Sequence, residues 1–485
     1  MNSVQVDSYP LPKTKQLAFQ INYIWTALGF ALFAGFAICA HLTFVIGYDF
    51  NLGDGFVGLI QTHGHVQLVG WAGLFIMGMS LHFMPRLTGV AFSNPKLVRK
   101  VLWLMTAGLI VRSIGQSVTP YIIESKFFVS LNGLVAASGM LEFLGILFYL
   151  TLILGLYRES KEKGKRQTLK SIAPFMGMML MGWFLYGGLN LILLITTAVN
   201  GSVVLDDAWN EFAVNSFIGL VLLPVSFTFS IRTFPLYLRL PAPNWNVRGV
   251  ALVYLGSLSL EMIPELPTLP SLSSNLSLWL SNAGSILKGC VIIWFIWQLD
   301  LLTRRKDPWT VNRVLHPAPD RRPTRPGLPD YGEFGSFERL IYAAYFWLAL
   351  GAVFEIVTSI AFVTGRYFIH LNDAIRHMYL LGFVTNLILG MSVRMIPGFI
   401  HKKKVAIPKL VGATFWLVNV ATLGRILPLL LPPSMLMDTP ILMEVTKSAF
   451  AFSGIFGIFA ILCLWINLKK TANSVLISSK GGFIS

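Results

Sequence analysis

Twelve apolar stretches, each long enough to cross a bilayer, follow one another along this sequence at roughly 19–46, 56–84, 99–118, 130–156, 172–198, 211–231, 246–263, 281–302, 338–363, 373–395, 408–430 and 443–466. A helix rising 1.5 Å per residue needs about 20 apolar residues to span the hydrocarbon core, and each stretch meets or approaches that length. The composition agrees: 55% of residues are hydrophobic and 12% charged, with a mean hydropathy of +0.67, outside the range of soluble globular chains. The expected fold class is an all-α integral membrane protein of twelve transmembrane helices, one membrane domain over 1–485. No cleavable signal peptide is evident, because MNSVQVDSYPLPKTK is polar and runs straight into a full-length span.

A net charge of +16 invites a nucleic-acid reading, but the positions of the charges argue against it. Arg86, Lys96, Arg99 and Lys100 follow the second span; Arg158, Lys161, Lys163, Lys165, Arg166 and Lys170 follow the fourth. Arg232, Arg239 and Arg248 follow the sixth, the loop RRKDPWTVNRVLHPAPDRRPTRP the eighth, and Lys402, Lys403, Lys404 and Lys409 the tenth. The alternate loops hold Asp49, Asp54, Glu124, Asp206, Asp207, Glu211, Glu265 and Asp438. That alternation follows the positive-inside rule and predicts cytoplasmic N and C termini. The expected partner of the basic loops is membrane lipid, with no nucleic acid. Cys39, Cys290 and Cys463 lack CxxC spacing and read as small core residues.

The chain repeats itself. HVQLVGWAGLFIMGMSLHFMP from His65 aligns with HMYLLGFVTNLILGMSVRMIP from His377 at a constant offset of 312, matching Gly70 to Gly382, Gly78 to Gly390 and Pro85 to Pro397. With one extra residue the match continues through PKLV at 95–98 and 408–411 to Arg112 and Arg425. A fainter copy at offset 150 places Ser230, Arg232 and Pro235 on Ser80, His82 and Pro85, and Asn215 on His65. The pattern S-x-[RH]-x-x-P is weak alone and can be no more than a helix stop. Its recurrence supports three four-helix repeats, about 1–165, 166–335 and 336–485, related by an axis along the membrane normal.

Five of the eight histidines, His41, His63, His65, His370 and His377, fall at the outer ends of spans or just outside them. An interfacial histidine is commonly an amphipathic anchor. Two at repeat-equivalent positions on the second and tenth spans suggest a ligand pair, His65 and His377, holding a haem slotted between helices. His63 and His65 point about 200° apart on an ideal helix, so both cannot face one centre unless the helix begins between them. His63, His370 and His41 are then candidates for supporting contacts or copper. Gly70, Gly73, Gly78, Gly382 and Gly390 leave room beside the helices, for the macrocycle or for close helix packing. Zinc is disfavoured, since no cysteine or acidic residue accompanies the pair at ligand spacing. Glu142, Asn190, Glu261 and Glu355 are intramembrane polar residues; Asn190 and Glu355 lie close to the repeat equivalents of His41, which suggests either a ring about a cavity or proton route, or plain helix–helix hydrogen bonding.

Three four-helix blocks with histidines at the outer ends of the second and tenth spans resemble haem-copper oxidase subunit I. THGHVQ at 62–67 and RHMYLLG at 376–382, followed by ILGMSVR at 388–394, are similar to the NnrS family of bacterial haem and copper membrane proteins of nitric oxide metabolism. The resemblance implies a multi-pass protein of the bacterial inner membrane that holds b-type haem and copper, with nitric oxide or a redox partner as its partner. It departs from an active oxidase or nitric oxide reductase in having no histidine between His82 and His316, and in Ile375 and Tyr379 flanking His377. The usual binuclear centre is therefore not expected, and an oxidoreductase role would be that of a component. Two axial imidazoles favour electron transfer; one would leave a position open for nitric oxide. The alternatives are a cofactor-free transporter or channel gated by histidines, and a structural oxidase-like subunit.

Overall fold

The computed structural model describes residues 17–163, 169, 171–241, 243–267, 274–305, 332–365 and 370–474. His316 and most of the long basic loop lie outside the described residues. Twelve long helices carry the fold: α1 (Ile21–Gly47), α2 (Phe56–Thr88), α3 (Lys96–Val118), α4 (Phe128–Glu162), α5 (Ala173–Val199), α6 (Asp207–Tyr237), α7 (Val247–Glu265), α8 (Ser274–Leu299), α9 (Phe337–Val363), α10 (Leu371–Phe399), α11 (Pro408–Leu430) and α12 (Pro440–Asn473). Among the described residues, eleven of these are long and apolar enough to cross a membrane. The exception to the twelve expected is α3, which at 23 residues is long enough but carries Lys96, Arg99, Lys100 and the buried Arg112. No strand occurs among the described residues.

Three helices form the centre. In the most apolar stretch of each, 78, 72 and 83% of residues are buried in α2, α6 and α10, against 28 to 50% in the other eight such helices. The remaining nine pack side by side as three arcs, α3–α4–α5, α7–α8–α9 and α11–α12–α1. Each arc straddles a boundary between sequence repeats, so the spaces enclosed between arc and central helices are built from two repeats at once.

The backbone repeats where the sequence does. Each central helix widens into π turns, at Val66–Gly73 in α2, Ile218–Leu222 in α6 and Met378–Thr385 in α10, immediately or shortly after His65, Asn215 and His377. α1 carries a fourth such segment at Ala31–Phe36. A π turn displaces carbonyls from the regular i−4 ladder and re-aims the side chains beside it, which is why such turns collect at functional sites.

The S-x-[RH]-x-x-P segments end the central helices. Pro85, Pro235 and Pro397 each lie within the last turn, where a missing N–H and a clash with the preceding turn stop the helix. Ser80 Oγ bonds Tyr149 Oη at 2.8 Å, and Ser230 bonds Tyr345 in the same manner, tying α2 to α4 and α6 to α9. His82 packs its ring on Phe399 with centroids 4.1 Å apart. These are packing roles.

The glycines of the repeat also serve packing. A Cβ on Gly382 would lie 2.6 Å from Trp347 Cγ, one on Gly73 2.8 Å from the Trp183 ring, and one on Gly78 2.6 Å from Tyr23 Cβ. The room they leave is taken by aromatic side chains of neighbouring helices, not by the large cavity described below. Trp347 is fixed by its Nε1–H donating to Asn419 Oδ1 at 2.8 Å. Gly382→Val is therefore expected to lower stability by about 1–3 kcal/mol through overpacking, measured as a shift in detergent-solubilised thermal unfolding; an unchanged unfolding curve would contradict this packing account.

Candidate functional site

One large cavity, of about 730 Å³, opens between α1, α2, α10, α11 and α12 at the upper end of the bundle, where α1 finishes and α2 begins. Its walls are largely apolar, with Phe36, Leu68, Trp71, Leu381 and Phe450 among them. Three of the predicted histidines, His63, His370 and His377, line it, together with Arg376, Arg425 and Lys447. The volume lies within the roughly 300–1,000 Å³ typical of small-molecule and cofactor sites.

His63 and His377 are oriented alike. His63 Nδ1 lies 3.0 Å from the carbonyl of Gly35, in the π segment of α1, and a carbonyl can only accept. The ring is thus an Nδ1–H tautomer whose Nε2 carries the lone pair. His377 Nδ1 lies 2.6 Å from the carbonyl of Asp373, one turn earlier on α10, and its Nε2 accepts from Arg425 Nε at 3.1 Å. Both imidazoles are therefore held in the tautomer that leaves Nε2 basic, the arrangement usual for metal-ligating histidines.

His65 is placed differently. It is buried, 3% exposed, and is absent from the cavity wall. Its Nε2 lies 2.8 Å from Glu142 Oε2 on α4 and its Nδ1 2.8 Å from Tyr186 Oη on α5. The carboxylate accepts from Nε2–H, so Nδ1 accepts from the tyrosine. The space bounded by α2 and the α3–α4–α5 arc is filled by this pair and by a chain of polar groups. Arg112 donates to Asn190 and, at 3.1 Å, to Gln116 Oε1. Gln116 donates to Gln61 at 3.1 Å, and Gln61 closes the top by bonding both backbone groups of Leu205, at 2.9 and 3.0 Å. The expected meeting of His65 with His377 is thus not what the structure brings together; it sets His63 on the cavity with His377 and gives His65 to Glu142.

The other predicted residues separate as well. His41 is exposed and is not part of the cavity wall. His370 sits at the exposed start of α10 on the cavity rim. Asn190, Glu355 and His41 do not form a ring: Asn190 belongs to the Arg112 chain, and Glu355 to a cluster between α7 and α10. Among the described residues, no group of three or more His, Cys, Asp or Glu could hold a metal ion. Cys39 lines the cavity, and the three cysteines are free.

Tyr186, Gln61 and Lys288 are functional-site neighbours that sequence reasoning passed over. Lys288 had a visible signal, a lysine within the apolar run SILKGCVIIWF. Tyr186 and Gln61 had none, since aromatic and amide side chains are ordinary in membrane helices.

Residues 337–469, which comprise α9, α10, α11 and most of α12, match the family model described as NnrS protein. That match places the α9–α12 block in the NnrS family. A search of curated proteins finds no match. Among solved structures, the chain is similar to a heme-copper terminal oxidase dimer determined by cryo-electron microscopy, with a TM-score of 0.67 and 12% identity over 94% of this chain and 83% of the oxidase chain. At that identity the likeness concerns the fold: a haem-copper oxidase-like architecture that spans the membrane many times, in which the NnrS match is to the last four helices. The NnrS block supplies His370, Arg376, His377 and Arg425 to the cavity; α1 and α2 supply the opposite wall with His63.

Proposed function

We propose that this NnrS-type protein binds one b-type haem in the cavity between α2 and α10, where His63 and His377 would hold it, and serves electron transfer or nitric oxide metabolism in a bacterial inner membrane. The observation that carries the reading is the matched pair of imidazoles lining one apolar cavity, each with Nδ1–H held by a backbone carbonyl and Nε2 basic. The repeat selects His65 as the partner of His377, and the proposal moves that role two residues earlier.

The residues fit such a group on chemistry. The walls are apolar, as a macrocycle needs, and the cations suit the carboxylates of its edge. Arg425 Nη1 is buried without a hydrogen-bond partner, a donor available to a carboxylate. When bound, haem supplies reversible one-electron exchange at iron. The chain's own part is to hold the two Nε2 atoms, exclude water with Phe36, Trp71 and Phe450, and balance negative charge with Arg425. Copper at His63, His370 or His41 is not part of the proposal, because no three-ligand group exists among the described residues. The upper end of the bundle faces the periplasm in this reading, as the positive-inside rule predicts, with both termini cytoplasmic.

The visible spectrum of the purified protein tests this. Sharp reduced bands that are unmoved by carbon monoxide or nitric oxide are expected if both imidazoles bind. Bands that shift on adding either gas indicate one ligand and a nitric oxide role. A protein without bound iron would overturn the reading in favour of a cofactor-free transporter.

A further inference from the structure

We propose that Glu265, Glu261, Lys288 and Glu355 form a proton-exchange ladder, which runs from the upper surface through the space enclosed by α7, α8, α9 and α10 and ends on the π turn of α10. The proposal does not depend on what fills the cavity on the other side of α10.

The ladder is continuous but for one helical turn. Glu265, at the exposed upper end of α7, accepts from Ser281 Oγ of α8 at 2.6 Å. One turn deeper on α7, Glu261 accepts from Ser285 Oγ at 3.1 Å and from Lys288 Nζ at 2.6 Å. Lys288 Nζ also lies 2.7 Å from Glu355 Oε1 on α9. The other oxygen of Glu355 accepts from Tyr379 Oη at 2.9 Å, on the π turn that begins after His377. Ser281, Ser285 and Lys288 occupy one face of α8 at i, i+4 and i+7, so a single helix face supplies a donor to each carboxylate in turn.

The charge count is what makes this an exchange site and not a closed ion pair. Two carboxylates face one ammonium. With all three ionised the buried knot carries one uncompensated negative charge, which is costly away from water. One added proton, shared between Glu261 and Glu355, makes it neutral. The other titratable groups near it are Tyr379, Tyr254, whose hydroxyl is committed to the carbonyl of Gly219 at 2.7 Å, and Glu265 itself. A proton entering from water at Glu265 passes inward and the one held between Glu261 and Glu355 returns to water by the same route, so one O–H bond forms for each that breaks and no oxidation state changes. Intramembrane carboxylate and lysine chains of this kind are the usual substance of proton relays.

Infrared spectroscopy of the full chain in detergent, transferred from H2O to D2O at neutral pH, reads the shared proton directly. The wild type is expected to show a protonated-carboxyl band that is lost or displaced in Glu355→Gln and in Glu261→Gln. Its deuterium shift should develop at least about tenfold more slowly in Glu265→Gln, because an amide cannot take up and pass on the proton as a positioned carboxyl does. Glu265 is exposed, so that variant should unfold at the wild-type temperature and a slow exchange cannot be blamed on misfolding. A spectrum with no carboxyl band sensitive to either buried glutamate would overturn the proposal, and so would a deuterium shift that develops as fast in Glu265→Gln as in the wild type.

Discussion

His63→Ala is expected to reduce the haem bound per polypeptide by more than about tenfold, while His65→Ala keeps it. Loss of a residue that merely supports a metal ligand costs about 10- to 100-fold in affinity, and loss of the ligand itself costs at least as much. The contrast between two histidines separated by one glycine comes from their directions. His63 and His377 lie on the cavity wall, where Arg425 alone would have to give up the Nε2 of His377, whereas His65 lies off that wall and is tied to Glu142 and Tyr186 on the opposite side of α2. His377→Ala should behave like His63→Ala. The check is the pyridine haemochrome content of the three purified variants; equal loss in His63→Ala and His65→Ala, or retention in His63→Ala, would count against the assignment.

Glu142→Ala should have the largest effect on stability, on the order of 3–5 kcal/mol, because removing one member of a buried charged pair leaves the others uncompensated. Glu142 is the carboxylate bonded to His65 and interacting with the buried Arg112, and all three side chains are nearly inaccessible. Replacing the charged pair together, Arg112→Met with Glu142→Leu, should recover part of the loss, since apolar groups of similar volume tolerate that space better than a single stranded charge. Thermal unfolding in detergent of the single and double variants checks this. A double variant less stable than either single would contradict it.

Much of the architecture is legible in the residues. Apolar runs locate the helices, the offset of 312 locates the repeat, and the π turns of α2 and α10 follow that offset residue for residue. The correspondence that exposed the repeat also misdirects the pairing of histidines, for a geometric reason. Positions equivalent under a rotation about a central axis face equivalent spaces, not the same space. His65 turns toward the α3–α4–α5 arc, where Arg112 lies; His377 turns toward α11–α12–α1, where its counterpart Arg425 lies. A site lying off the axis must be built from residues that are not equivalent, and His63 meets that condition because two helical positions carry it to the opposite face of α2. The 200° separation of the two histidines is visible in the sequence; which of them faces the cavity is not, because it depends on how the arcs close around α2. The third space shows the same limit. Glu261 and Glu355 stand out as intramembrane acids, but their meeting at Lys288 requires knowing that α7, α8 and α9 form one arc across a repeat boundary.

A haem held in the cavity by two imidazoles, one from α2 and one from α10, has a spectroscopic signature of its own. Near-infrared magnetic circular dichroism of the oxidised protein as purified distinguishes axial ligand pairs by the charge-transfer band of the low-spin iron. The bis-histidine signature is expected in the wild type and in His65→Ala, and should disappear in His63→Ala. A bis-histidine signature that survives in His63→Ala and vanishes in His65→Ala would contradict it.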